Sequence, residues 1–335
     1  MPHHNFSHSR RRLMQGAASL IALPAAVIAR AQPDASAWPR QPVRIVVGYP
    51  PGQTVDVTAR AYGAALQQAW GQPVVVENMP GANGIIGARI VKSANPDGYT
   101  LLFGTSGQLA INPAIYAALP YAPLRDFAPV ALGATGRLYL VANKSLPVST
   151  LRELVAYAKA HPGKLTYGSG GVGITAHLAM ELLKSATGMD ALHVPYKGSP
   201  AALTGLIAGD VQLMFDAGSL VLPQIRSGKI KPLAVSSAER FSGLPAVATV
   251  AEQGVTAFDI STWSALVAPA GTPAAIVEKI NAAMQAASRL PAVATPVRAG
   301  GSEPQQYSAA RFGDFLRRET VLWADAAHRA GVKPE

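Results

Sequence analysis

From Pro42 onward the chain alternates short apolar runs with stretches of helical periodicity, and this alternation restricts the fold more than any other feature. "VRIVVGY" (residues 43–49) reads as a buried strand closed by Pro50-Pro51-Gly52. A helical stretch follows from about Val55 to Trp70, then a second strand, "VVVEN" (residues 74–78). The glycines of "GANGIIGARIV" open another helix before a third strand, "YTLLFG" (residues 99–104). Strand, turn, helix and strand at this spacing predict βαβ units, hence an α/β fold with a parallel sheet.

The pattern resumes beyond residue 149. Thr150-Leu-Arg-Glu153 is a capping box, and Leu151, Leu154, Val155 and Ala158 then recur along one helix face until Pro162-Gly163. "LTYGS" predicts a strand. "HLAMELLKSATG" predicts a helix with Ala179, Leu182, Leu183 and Ala186 inward and Gly188 as its C-terminal cap. "LHVPY", "VQLMFDA" and "IKPLAVSS" predict further strands. A helix beginning at Thr272-Pro273 turns Ile276, Ile280, Ala283, Met284 and Ala287 inward, and a last amphipathic helix runs from about Ser308 to Ala330. Two extended stretches, residues 127–143 and 258–270, exceed the usual strand of about six residues. A two-lobed protein whose chain crosses twice between lobes produces such stretches. The expected organisation is therefore one lobe from residues 38–135 plus 258–335 and a second, inserted, from residues 136–257.

Residues 1–31 have a different character. Arg10-Arg11-Arg12 precede an apolar stretch from Leu13 to Ile28, and Ala29-Arg30-Ala31 forms a small-x-small cleavage site. Ser9-Arg10-Arg11 before Leu13-Met14 gives the segment the form of a twin-arginine export signal. A membrane anchor is the alternative, but Gln15, Gly16 and Pro24 interrupt a stretch already short of the ~20 residues a span needs. Cleavage after Ala31 removes four arginines and no acid, leaving 304 residues and lowering the net charge from +10 to +6. The remaining basic residues are scattered, which argues against a nucleic-acid surface and suits small anions. Without cysteine there is no disulfide, redox motif or thiolate metal site. The expected product is a soluble periplasmic monomer.

"YGSGGVGITAH" (residues 167–177) contains Gly168-x-Gly170-x-x-Gly173, the form of a dinucleotide fingerprint. Such a site needs an acid about twenty residues on, at the end of the next strand, to hold the ribose. That count lands on His193, and Asp190 precedes the strand rather than ending it. A Walker loop fails because Leu165 follows Gly163-Lys164, and neither Ser106 nor Ser169 sits in a G-x-S-x-G frame. His161, His177, His193 and His328 show no i, i+4 pairing and no neighbouring carboxylates at metal spacing. No catalytic residue, metal or cofactor is indicated. Instead, the strands ending at Tyr49, Gly104 and Ser169 each deliver glycine or hydroxyl residues toward a helix start, where backbone amides favour an anion.

"WPRQPVRIVVGYPPGQTVDVTAR", "GQPVVVENMPGANGIIGARIVKSANPDGYTLLFGT", "INPAIYAALPYAPLRDFAPV", "HVPYKGSPAALTGLIAGDVQLMFD", "IKPLAVSSAERFSGLP" and "LVAPAGTP" together closely resemble the Bug-type extracytoplasmic solute receptors of tripartite tricarboxylate transporters. The resemblance runs from about Trp38 to Lys333 with its blocks in family order. It implies a two-lobed periplasmic binding protein, type II-like, with crossing hinge strands, that closes over a small carboxylate and delivers it to membrane components of the transporter. A di- or tricarboxylate, an acidic amino acid or an aromatic acid all fit that description. An exported α/β enzyme or a ligand-sensing partner of a signalling protein is the alternative. Carried over by motif, the first-lobe contacts fall at Tyr49, Gly52, Gln53, Thr54 and Asp56, and at Thr105 and Ser106. The second-lobe contacts fall at Ser169, Gly170, Gly173, Thr175 and His177, with Tyr196 and Asp216 near the cleft. Each has a plainer reading as well: Tyr49 as a strand-end aromatic, Asp56 as a helix N-terminal acid, Ser169 and Thr175 as caps, His177 as structural, Asp216 as part of the hinge. The family's first loop reads Pro-Pro-Gly-Gly; here Gln53 stands in place of the second glycine.

Overall fold

A computed structural model describes residues 1, 3, 37–241, 243–329 and 331–332. The export-signal features between Ser9 and Ala31 lie outside the described residues. The N-terminal half follows the expected alternation: β1 (Val43–Val47), α1 (Thr54–Trp70), β2 (Val74–Asn78), α2 (Ile85–Lys92) and β3 (Thr100–Thr105). Two short helices, α3 (Asn112–Ile115) and α4 (Pro123–Asp126), lead into β4 (Phe127–Asn143). Next come α5 (Leu151–Ala160), β5 (Thr166–Ser169), α6 (Thr175–Thr187), β6 (Leu192–Pro195), α7 (Ser199–Ala208), β7 (Leu213–Ala217), α8 (Gly218–Arg226) and β8 (Ile230–Val235). The chain closes with β9 (Ser261–Pro269), α9 (Ala274–Ser288), α10 (Pro291–Ala299), β10 (Ser302–Pro304) and α11 (Ala309–Arg329).

Local chemistry explains most of these boundaries. Thr150 Oγ1 accepts the Glu153 amide at 3.1 Å and starts α5, while the Glu153 carboxylate takes the Ser149 amide at 2.7 Å, one residue before the cap. Gly188 ends α6 in the left-handed region, its N–H donating to the Lys184 carbonyl. The inner face of α6 differs from expectation: Ala176, Ala179, Met180 and Leu183 are buried, and Ala186 is exposed. Apolar residues occur on both sides of this helix, so periodicity alone set the face about one residue off. Thr272 does not cap α9. Its hydroxyl donates to the Pro269 carbonyl at 2.8 Å, and the helix starts after Pro273.

The strands form one mixed sheet in the order β2-β1-β3-β9-β4-β7-β5-β6, with β8 and β10 also paired to β4. Pairing is parallel where helices make the crossovers, at β2-β1-β3 and at β7-β5-β6. It is antiparallel around β4 and β9, the two long extended stretches. β4 itself resolves the length problem. Its 17 residues form a single strand whose first part (127–137) pairs with β9, while its last part (138–143) pairs with β7 and β8. Register shifts at Pro129/Ala131 and Leu132/Ala134 against β9, and at Leu140/Val141 against β8, interrupt the regular ladder on both parts of the strand. Three apolar clusters fill the layers: one under α1, α9 and α10, one under α7 and α8, and one that takes in α5, α6 and α11. No helix among the described residues is long and apolar enough to cross a membrane.

Candidate functional site

A cleft of about 560 Å³ opens where the carboxyl ends of β1, β3, β5 and β7 meet β4 and β9. That size fits a small metabolite. Helices α1, α6, α7 and α8 all begin at its wall, through Gln53-Thr54, Ile174-Thr175, Gly198-Ser199 and Ala217 to Ser219. None of the four has a side-chain cap bond. Each terminus therefore presents backbone N–H groups and the positive end of its dipole, with a chain carboxylate bonded beside it only at α1, through Asp56 on the Gly52 amide, and at α8, through Asp216 on the Ala217 amide. Hydroxyls of Thr105, Ser106, Thr262, Ser264 and Ser302 line the remainder.

The loop before α1 is held from behind. Asp56 accepts the Gly52 amide at 2.8 Å through Oδ2, and Arg60 Nε at 3.0 Å and Asn78 Nδ2 at 2.9 Å through Oδ1. Burial works to raise the Asp56 pKa, but the Gly52 amide, Arg60 and Asn78 outweigh it and hold the carboxyl below its usual range. Gly52, at φ +83°, makes the turn that brings its amide to this carboxylate. Asp56 is thus 3% exposed, ionised and occupied, and it does not line the cleft. Tyr49 does line it. Its phenol donates to Asn83 Oδ1 at 3.2 Å and lies 3.1 Å from Thr105 Oγ1, with burial pushing the hydroxyl up to about 12.

The glycine loop after β5 is organised the same way. Gly170 reaches the wall; a Cβ there would lie 2.6 Å from the Ser199 backbone nitrogen, so only glycine lets the loop pack against the start of α7. Ser169 is 1% exposed and faces inward, its Oγ at 2.6 Å from His193 Nε2, 2.9 Å from the Gly171 carbonyl and 3.2 Å from the Gly171 amide. The Gly173 amide donates to His177 Nδ1 at 3.1 Å. The rings of Tyr167, His193 and His177 stack behind the loop, with centroid separations of 4.8 and 4.1 Å. Burial first, with repulsion from His177 and Lys184, lowers the His193 pKa to about 4; burial lowers that of His177 as well. Burial keeps both rings neutral: His177 accepts the Gly173 amide, and His193 Nε2 shares a hydrogen bond with the Ser169 hydroxyl, which itself donates to the Gly171 carbonyl. A buried serine committed to these bonds is architecture, not a nucleophile.

Of the residues singled out from sequence, Tyr49, Gly52, Gln53, Thr54, Thr105, Ser106, Gly170, Thr175 and Asp216 line the cleft. Asp56, Ser169, Gly173, His177 and Tyr196 are not part of the cleft lining; in the first four, groups able to contact a ligand are already bonded within the chain. Tyr196 packs beneath the loop, its ring against Gly168 and Gly205 and its amide on the Ser169 carbonyl at 2.9 Å. Two hydroxyl pairs link residues of the cleft wall that are remote in sequence: Thr54 Oγ1 and Ser219 Oγ at 2.6 Å, and Ser106 Oγ and Thr175 Oγ1 at 3.4 Å. Sequence reasoning missed Asn83, Arg137, Ser199 and Ser219. Ser199 and Ser219 follow β6 and β7 as Thr175 follows β5, so the same strand-to-helix rule locates them. Arg137, the only cation in the apolar run of residues 127–143, carried its own signal. Among the described residues no group of His, Asp or Glu is arranged to hold a metal.

The family model for the tripartite tricarboxylate transporter family receptor matches residues 58–327. BugT of Bordetella pertussis is 36% identical over 301 residues, covering 90% of this chain and 92% of BugT. Among solved structures, Rpa4515 of R. palustris with adipate is 36% identical with a TM-score of 0.81, covering 89% of this chain and all of that one. MatC of Rhodopseudomonas palustris with bound malate is 33% identical with a TM-score of 0.75, covering 86% of this chain and 99% of that one. The α/β architecture is that of periplasmic solute-binding proteins, and the family is one of receptors, not enzymes. This chain belongs to the tripartite tricarboxylate transporter receptor family.

Proposed function

We propose that this receptor captures a small carboxylate in the cleft and presents it to the membrane components of a tripartite tricarboxylate-type transporter, acting in the periplasm as a monomer freed from its signal after Ala31. The observation that carries this reading is the convergence of four helix N-termini without side-chain caps on one cleft. A carboxylate is the small group that accepts several such amides at once, and each terminus favours a negative charge by about 0.3–1 kcal/mol. Adipate and malate in two structural relatives support the same class. The two-lobe division (residues 38–135 plus 258–335, and 136–257) belongs to this reading, with β4 as the strand shared between lobes and the hydroxyl pairs as the contacts that meet on closure.

Thermal denaturation in the presence of adipate, malate, adipamide and NAD tests it. A ligand at about 100 times its Kd adds about 2.7 kcal/mol to unfolding, enough to move the transition visibly. The carboxylates are expected to raise Tm while the diamide and NAD do not. A shift with the diamide equal to that with adipate removes the anion argument.

A further inference from the structure

Among the described residues four buried side-chain atoms lack a hydrogen-bond partner, and three of them share one patch of the sheet: Arg137 Nε, Tyr139 Oη and Asp216 Oδ2. Tyr139 lies directly opposite Asp216 in the β4–β7 ladder, and Arg137 is two residues from Tyr139 along β4. Strand alternation therefore sends all three side chains from the same face. Arg137 and Asp216 reach the cleft wall; Tyr139 is fully buried behind it, against Phe241. Buried polar atoms are rarely left unpaired, so three together need a physical explanation.

Asp216 carries most of it. Its carboxylate is 7% exposed and ends β7 at the mouth of α8, where Oδ1 accepts the Ala217 amide at 2.7 Å. An asparagine would serve that bond equally well. Oδ2 is the atom that asparagine would not reproduce as an anion, and it is buried in the cleft wall with no hydrogen-bond partner among the described residues. Burial pushes the carboxyl up to about 6, against the pull of the Ser199 hydroxyl and the Ala217 amide, so near neutral pH it is an ionised and unneutralised acid. Such a group repels a ligand carboxylate and attracts a ligand ammonium. Arg137 has the opposite polarity: its guanidinium lies over the Phe241 ring, 5.7 Å from the centroid, and its Nε has no hydrogen-bond partner among the described residues.

We propose that the cleft selects amino-bearing acids, the ligand's ammonium donating to Asp216 Oδ2 and a carboxylate accepting from Arg137. The proposal rests on the carboxylate reading of the cleft and deepens it, adding a cation subsite to the anion-favouring helix termini. Neutral hydroxyls on the rest of the wall leave these two side chains as the charged determinants of ligand class.

Matched probes test it: aspartate against malate and succinate, and 2-aminoadipate against adipate, titrated by calorimetry at pH 7.5 into wild type, Asp216→Asn and Arg137→Gln. A charge-assisted hydrogen bond predicts that wild type prefers the amino member of each pair by about tenfold or more. Asp216→Asn is expected to erase that ratio, and Arg137→Gln to weaken both members of a pair by a similar factor while preserving it. Equal or tighter binding of the acids without the amino group overturns the proposal and leaves the carboxylate reading standing. So does a preference for those acids that grows as pH falls below 6, which would make protonated Asp216 a donor. Binding of no probe overturns both.

Discussion

Acidification should loosen the loop behind the cleft before it unfolds the sheet. The Gly173 amide donates to His177 Nδ1, which needs that nitrogen unprotonated, and the His193 ring stacked on it beside Ser169 Oγ is kept neutral by burial. Burial is the main reason His193 sits at about 4 when an ordinary histidine titrates at 6.5, and the stacked His177 and nearby Lys184 add to it while Glu181 opposes. Because the folded pKa is depressed, the unfolded chain takes up its proton first. The stabilisation from neutral His193 is complete above about pH 6.5, falls as the pH drops toward about 4, and changes no further below that. A shift of that size corresponds to at most about 3 kcal/mol, and partial solvent access to the ring reduces it to roughly 1–2 kcal/mol. Urea denaturation of wild type and His193→Gln at half-unit steps from pH 7.5 to 4 isolates this contribution, since the slope with pH is read and not the absolute stability. The wild-type curve should fall more steeply by that amount across the window. Parallel curves for the two proteins would refute the claim that His193 is held neutral by the fold.

Three further outcomes follow from the same geometry. Gly170→Ala places a methyl 2.6 Å from the Ser199 backbone nitrogen, so it should lower stability by about 1–3 kcal/mol and abolish the thermal response to adipate. Asp56→Asn removes the charge that holds the Gly52 amide and Arg60; it should cost about 1–3 kcal/mol by denaturation at pH 7. It should change the ranking of ligands little, and the cost should shrink as pH falls and the wild-type carboxyl protonates. Small-angle scattering should show a smaller radius of gyration with saturating adipate, and an unchanged profile would argue against closure of the two halves.

How much of this was legible in sequence depended on where the information lay. β1, β2 and α5 were read closely because apolar periodicity and a cap residue are local properties, and the structure keeps them. β4 was not, because nothing in "FAPVALGATGRLYLVAN" tells a reader that one strand changes partners midway, from β9 to β7 and β8; that depends on strands remote in sequence. The cleft divides similarly. Thr54, Ser106, Gly170 and Thr175 were found because a strand end followed by a helix start exposes backbone amides whatever the tertiary context. Ser169, His177 and Asp56 lie in the same loops and face away from the cleft. Their direction is fixed by partners remote in sequence, such as His193 for Ser169 and Asn78 for Asp56.

The division also explains why the ligand class is hard to read from such a receptor. An anion held by helix termini and hydroxyls leaves almost no side-chain signature, and it avoids the large desolvation cost of a buried ion pair. Several weak, reversible contributions suit a protein that must release what it captures. Side chains that do carry charge into such a cleft are then the informative ones, because nothing about anion capture requires a carboxylate there. Asp216 is stabilised by neither a chain cation nor a full set of hydrogen bonds, and burial raises its pKa to about 6, so keeping it ionised at neutral pH costs the folded protein about 3 kcal/mol. Removing the charge should therefore make the ligand-free receptor more stable at pH 7.5 than wild type, with the difference vanishing below about pH 4, where the acid is protonated in both states. Asp216→Asn compared with wild type by urea denaturation at those two pH values reads this directly. A less stable Asp216→Asn protein at pH 7.5 would mean that the carboxylate serves the fold, and the case for a ligand ammonium there would lose its energetic basis.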